Sequence, residues 1–237
     1  MPEDITFINR EPDVRMLYDM KTVVYDRDWL NQAENTPLYY MYRDLYREGD
    51  RKTILENSLR FDITVLPPKM MGDEYVKTKG HFHPISQSMT FPELYGVLDG
   101  KAHYLLQKKG REPEQVVLIK ASEGDFVLIP PGYGHVTVNP TSEKLRMANW
   151  VFRDFKSIYK PIEKRGGAAW FELKNGFKKN TNYGDVPEIE VFEADEFDLF
   201  GGFKHIYDII EEPNRLELLH SPEENNWIFK KLDFFRP

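Results

Sequence analysis

The stretch Lys79-Gly80-His81-Phe82-His83, followed after a short loop by Pro92-Glu93-Leu94-Tyr95, holds the residue types in this chain best suited to chemistry. Side chains in an extended strand alternate faces with a period of two, so His81 and His83 project from one side. Glu93, ten residues after His83, and the more distant His135 complete a set of three imidazoles and one carboxylate. Such a set suits a divalent transition metal (iron, manganese, nickel or zinc) better than magnesium or calcium. The other three histidines, His103, His205 and His220, read as packed or surface residues.

The elements that must position this set read as strands. Residues 59–66 alternate cleanly and stop at Pro67-Pro68, which cannot donate to a ladder. Residues 74–79 form a strand that leads into the histidine pair. Asp99-Gly100 lies between the alternating runs 93–98 and 101–107, and such a pair predicts a two-residue hairpin. Two more strands, 115–120 and 126–129, are parted by Glu123-Gly124-Asp125. Pro130-Pro131-Gly132-Tyr133-Gly134 is a rigid turn that delivers His135 onto the strand 135–139, and 145–155 is the last core strand. Short strands at this spacing, with glycine and proline between them, imply an all-β barrel or sandwich.

Ahead of it, Asp26 caps a short helix ending at Gln32, and Leu38-Tyr39-Tyr40-Met41-Tyr42 is β-prone. The chain therefore divides into an N-terminal part, 1–58, packed on the barrel; the barrel core, 59–160; and a C-terminal extension, 161–237. The extension breaks at Lys164-Arg165-Gly166-Gly167 and resumes with the strand Trp170-Phe171-Glu172-Leu173. It is acidic and aromatic from Tyr183 onward. It is folded rather than a loose tail, and its role is not legible.

Bulk composition narrows the function classes. Hydrophobic residues at 41% and charged residues at 30% of the 237 describe a soluble globular chain. No apolar run approaches the ~20 residues that span a bilayer, so no membrane is implicated. Net charge is −7 with no dense lysine or arginine block, which argues against nucleic acid. An anionic ligand must then be held by local donors against the overall field. Cysteine is absent, which excludes disulfides and thiolate ligands. The acidic start Met1-Pro2-Glu3-Asp4 has no apolar core behind it, so a signal peptide is not expected and a cytoplasmic location is.

Thr78-Lys79-Gly80-His81-Phe82-His83, then Glu93-Leu94-Tyr95, Leu106-Gln107 and the run from Pro130 to Asn139 together resemble the cupin-type glucose-6-phosphate isomerases, known chiefly from archaea. The likeness covers residues 14–173. It implies a cupin barrel, a double-stranded β-helix or jelly roll with a few short helices. It implies that His81, His83, Glu93 and His135 hold one metal per subunit, and that glucose 6-phosphate and fructose 6-phosphate interconvert through a cis-enediol. It further implies that Thr64, Thr78, Gly80 and Tyr159 line the sugar-phosphate site and that the protein is a homodimer. Lys79 and the backbone N–H of Gly80 are added phosphate donors, and Tyr95 and Tyr133 are candidate ligand contacts. Glu93 is the expected base, a role that asks burial to raise its pKa while a bound cation lowers it.

The chain departs from that family in three places. The 84–92 loop is longer, so Glu93 is placed by its Glu-x-Tyr context. The stretch around Val151 and Ser157 lacks a tyrosine and a histidine that some members carry. The segment after Gly176 has no counterpart. Two other readings share the barrel: an iron dioxygenase of the cupin superfamily, and a non-catalytic sugar-phosphate-binding protein.

Overall fold

The computed structural model describes residues 11–197 and 199–236; the acidic start at Met1 to Asp4 lies outside them. In chain order the elements are β1 (Asp13–Met16), α1 (Arg27–Gln32), β2 (Pro37–Tyr42), α2 (Arg51–Glu56), β3 (Leu59–Leu66), β4 (Met70–Met71) and β5 (Glu74–Tyr75). Then come β6 (Glu93–Asp99), β7 (Lys101–Lys108), β8 (Val116–Ser122), β9 (Phe126–Ile129), β10 (Tyr133–Val138) and β11 (Leu145–Phe152). The chain finishes with α3 (Lys160–Lys164), β12 (Trp170–Leu173), β13 (Gly176–Lys179), β14 (Ile189–Glu193) and α4 (Asn226–Phe229), with short 3-10 turns between them. This is the all-β class expected, with few and short helices.

Six strands form one sheet in the order β1-β2-β3-β11-β6-β9, and four form a second, β10-β7-β8-β14. The inner faces share one core: Phe61, Leu94 and Trp150 from the first sheet and Tyr104, Leu106 and Ile119 from the second belong to one buried apolar cluster. A small third sheet, β13-β12-β5-β4, lies alongside. The N-terminal part is continuous with the barrel, because β2 pairs with β3, Met41 opposite Thr64. Asp26 caps α1 as expected, its Oδ1 accepting the Trp29 N–H at 2.8 Å.

Two local expectations are corrected. Asp99-Gly100 does not close a hairpin, because β6 pairs with β9 and β11 while β7 pairs with β8 and β10. The chain changes sheet there. Gly100 sits at φ +87, and a Cβ on it would come 2.6 Å from the Lys144 carbonyl oxygen, so glycine is required by the turn and by the packing together. Nor is 74–79 one strand running into the histidines. Regular pairing ends at Tyr75, and the rest is held by single bridges, Lys77 to Val138, His81 to His135 and Phe82 to Ile158. Gly80, at φ +77, breaks the extended run just before the histidine pair.

The C-terminal extension is part of the core. β14 adds to β8 in parallel, and the Trp150 indole donates to the Ile206 carbonyl at 2.8 Å. Tyr207 packs on Phe61 and Trp150, while Phe229 and Phe234 are fully buried.

Candidate metal centre and its pocket

Three segments bring the four expected ligands together. His81 and His135 face each other across a bridge, each N–H donating to the other's carbonyl at 3.1 and 3.0 Å. That approach needs small neighbours. A Cβ on Gly80 would lie 2.5 Å from the Val136 side chain, and one on Gly134 would lie 2.8 Å from the Phe82 ring. Glu93 opens β6, in the other sheet from His135, and its carboxylate reaches toward both histidines.

Glu93 Oε2 lies 3.7 Å from His81 Nε2, 3.4 Å from His83 Nε2 and 3.7 Å from His135 Nε2. One donor atom from each of the four residues can be chosen so that all lie within 4.8 Å of one another. His83, Glu93 and His135 are buried. His81 Nε2, His83 Nε2 and Glu93 Oε2 are buried without a hydrogen-bond partner, as is His135 Nδ1. Leaving such atoms unmatched costs about 1–3 kcal/mol each. Orphaned atoms converging from the His81 and His83 rings and the Glu93 carboxylate, with His135 Nε2 beside them, are what a cation would satisfy, and nitrogen-rich donors of this kind fit a divalent transition metal.

Partners behind the ligands set their chemistry. His83 Nδ1 lies 2.7 Å from the Phe91 carbonyl, which can only accept, so Nδ1 carries the proton and Nε2 presents its lone pair to the centre. Asn149 Nδ2 donates to Glu93 Oε1 at 2.9 Å, leaving Oε2 to face the histidines. The Tyr95 hydroxyl lies 3.1 Å from His135 Nε2.

Burial pushes the His81 and His135 imidazoles below their usual range, His135 strongly, which favours their neutral, ligating form. Burial alone would raise the Glu93 carboxyl. The three imidazoles closing on it outweigh burial and hold Glu93 well below the usual carboxylate range. The upward shift that a free base near neutrality needs is therefore absent, and the centre is an anionic carboxylate among neutral rings.

His81, Glu93 and Tyr95 form part of the lining of a pocket with about 510 Å³ of space unfilled by protein atoms and continuous with solvent. Thr64, Thr78, Lys79, Gly80 and Tyr159 line the same pocket. Some of these are already engaged. Thr78 Oγ1 accepts the Thr137 N–H at 2.9 Å, and Lys79 Nζ pairs with Glu163 at 2.6 Å over the Tyr159 ring. Tyr133 is elsewhere, buried with its hydroxyl donating to Gln115 Oε1 at 2.5 Å.

Sequence reasoning missed a charged cluster on the same wall. Asp62, buried on β3, accepts from Arg43 at 2.8 Å and from Arg60 at 3.0 Å, and both arginines line the pocket. The available signal was Arg60, Asp62 and Thr64 at alternate positions of one strand, a polar stripe facing a barrel interior. Asn149, opposite Asp62 on β11, is part of that wall too.

The sequence comparisons agree on one family. The family model described as glucose-6-phosphate isomerase (GPI) matches residues 14–188. The glucose-6-phosphate isomerase of Thermococcus litoralis is 33% identical over 133 residues, 55% of this chain and 64% of the relative. That of Pyrococcus abyssi is 32% identical over 166 residues, 69% of this chain and 82% of the relative. The match to the first thus spans less than two thirds of that relative's length. Among solved structures, a Bacillus subtilis oxalate decarboxylase aligns over 50% of this chain and 27% of its own at 16% identity, with a TM-score of 0.36.

Proposed function

We propose a function from one premise: the chain belongs to the glucose-6-phosphate isomerase family. It is a metal-dependent aldose–ketose isomerase that interconverts glucose 6-phosphate and fructose 6-phosphate through a cis-enediol. The observation that carries this reading is the convergence of three imidazoles on the Glu93 carboxylate, with His81 and Glu93 on the wall of a pocket that Thr64, Thr78, Lys79, Gly80 and Tyr159 also line.

His81, His83, Glu93 and His135 hold one divalent transition metal per subunit, which when bound supplies positive charge for the sugar oxygens on which negative charge develops. The phosphate is held by the hydroxyls of Thr64, Thr78 and Tyr159, by Lys79 and by the Gly80 N–H, where the missing side chain lets an oxyanion approach the main chain. Tyr95, beside His135, contacts the reacting end of the sugar. Arg43 and Arg60 add fixed positive charge to a pocket whose ligand is an anion and whose protein is negative overall.

Proton transfer between C2 and C1 falls to Glu93. Its Oε1 is turned from the histidines and steadied by Asn149. Sugar phosphates do not cross membranes unaided, so this reading carries a cytoplasmic location with it. Among the described residues no helix is long and apolar enough to cross a membrane. A homodimer is part of the same reading, with β1, the end strand that exposes Val14, as an open edge.

The test is a coupled assay of fructose 6-phosphate conversion in D2O, with and without a chelator. Conversion with solvent deuterium at the transferred position, abolished by chelation and restored by metal, is the expected result. Undiminished turnover by metal-free protein would overturn the metal role. Saturable binding without turnover after metal loading would leave a sugar-phosphate-binding protein.

A further inference from the structure

We infer that the C-terminal extension acts on the metal centre through Glu223, a positioning residue that fixes the loop joining His83 to Glu93. The inference rests on the metal-centre reading above, and its test is chosen to fail separately from it.

The loop, residues 84–92, separates two ligands and has little of its own to hold it. Ser86 N–H donates to the Met89 carbonyl at 2.8 Å and Phe91 N–H to the Pro84 carbonyl at 3.0 Å, while Ile85 is exposed. Glu223 comes to it from the far end of the sequence. Its Oε1 accepts the backbone N–H groups of Gln87 at 3.0 Å, Ser88 at 2.9 Å and Met89 at 3.0 Å. Three consecutive amides converging on one oxygen make a small anion nest, and a carboxylate is the acceptor that matches it best.

From those amides the path to the ligands is short. Thr90 Oγ1 accepts the N–H of Gly132, in the turn that precedes His135, at 2.7 Å. The Phe91 ring stacks on Phe152 at 4.6 Å, and the Phe91 carbonyl accepts from His83 Nδ1 at 2.7 Å. That last bond selects the His83 tautomer. Holding 87–89 therefore holds the two residues that orient His83 and buttress the turn before His135. The family match ends at residue 188, so this chain braces its loop with a residue from outside the shared segment.

Outer partners of metal ligands commonly change affinity by about 10–100-fold when removed. Metal-free, full-length wild type, Glu223→Ala and Glu223→Gln are each titrated with Co2+, followed by visible absorption. Amide exchange is measured on the same proteins. Glu223→Ala should weaken Co2+ binding about 10-fold and speed exchange at 87–89, with β3 and β6 unchanged. Glu223→Gln keeps the accepting oxygen without its charge. It should fall between the two, about 3-fold weaker than wild type, since charge roughly doubles the strength of such bonds.

A folded Glu223→Ala that lowers Tm but binds Co2+ as wild type does, with the same spectrum, overturns the inference. So does Glu223→Gln with wild-type affinity and wild-type exchange, which decides the matter if the alanine variant does not fold. Wild type that binds Co2+ and turns over no sugar phosphate defeats the functional reading while leaving this comparison intact.

Discussion

Glu74 and Glu93 are both fully buried carboxylates beside basic side chains, and they are arranged in opposite ways. Glu74 pairs through Oε1 with Lys77 and through Oε2 with the Tyr25 N–H at 2.9 Å. Lys77 Nζ also donates to the Val23 carbonyl at 2.9 Å and lies over the Phe171 ring. Every polar atom of that pair is matched. Around Glu93, by contrast, Oε2 and the facing Nε2 atoms of His81 and His83 have no partner. Burial dominates the first site, pushing Glu74 up and Lys77 down, whereas three imidazoles reverse it at the second and hold Glu93 low. A matched buried pair ties the 74–77 segment to the N-terminal turn. An unmatched one waits for a ligand.

The sharpest way to break this comparison is to neutralise each carboxylate's surroundings in turn. Glu93→Gln should cost about 10²–10⁴-fold in kcat, the range for losing a proton-transfer group, and lower Tm as well, because the folded state favours the Glu93 anion. A rate within a few-fold of wild type would remove Glu93 from the chemistry. Lys77→Met should act on the fold alone. It strands Glu74 in the interior and should destabilise the fold by about 3–5 kcal/mol, read by denaturant unfolding, with Co2+ affinity as in wild type. Adding Glu74→Gln should recover much of that loss, and a double variant as unstable as the single one would contradict the pairing argument.

Asp62 tests an intermediate case, a matched carboxylate whose partners line the pocket. Asp62→Asn weakens the hold on Arg43 and Arg60, and should raise KM about 10-fold, the value of one hydrogen bond to a charged group, with a smaller change in kcat. An unchanged KM would confine the two arginines to structure.

The smallest effect concerns Glu223. Burial acts to raise its carboxyl, but the N–H groups of Ser88, Met89 and Gln87 bring it down from 4.5 to about 2. A carboxyl whose pKa is depressed on folding stabilises the native state above its unfolded pKa and loses that contribution as pH falls through the folded value. The Tm advantage of wild type over Glu223→Gln should therefore be full above about pH 4.5 and shrink toward pH 2. A difference that stays constant over that window would show that charge is not what the loop amides recognise.

What could be read in the sequence follows the range of each signal. Leu59–Leu66 alternates and ends at two prolines, and it is β3 as drawn from pattern alone. His83, Glu93 and His135 converge because residue type and punctuation around each were informative. Asp99-Gly100 misled, since the backbone that closes a hairpin also turns a chain from one sheet to the other, and only the partners of β6 and β7 tell them apart. The bridges at 77–82 were hidden because Gly80 interrupts a stretch that otherwise reads as extended. Arg43 meets Asp62 only through neighbouring strands, and Glu223 lies 136 residues from Gln87, so nothing local announces either contact.

The parallel pairing of β14 with β8 has a consequence for the newly made chain. Val116-Val117-Leu118-Ile119 is an apolar run with strong β-propensity, and in the finished protein β14 covers its outer edge. Until residues 189–193 leave the ribosome that edge is open to its counterpart on a neighbouring nascent chain. A chain cut before residue 189 would keep every ligand of the metal centre but lose both this cover and the Glu223 brace, so insolubility would accompany weakened metal binding.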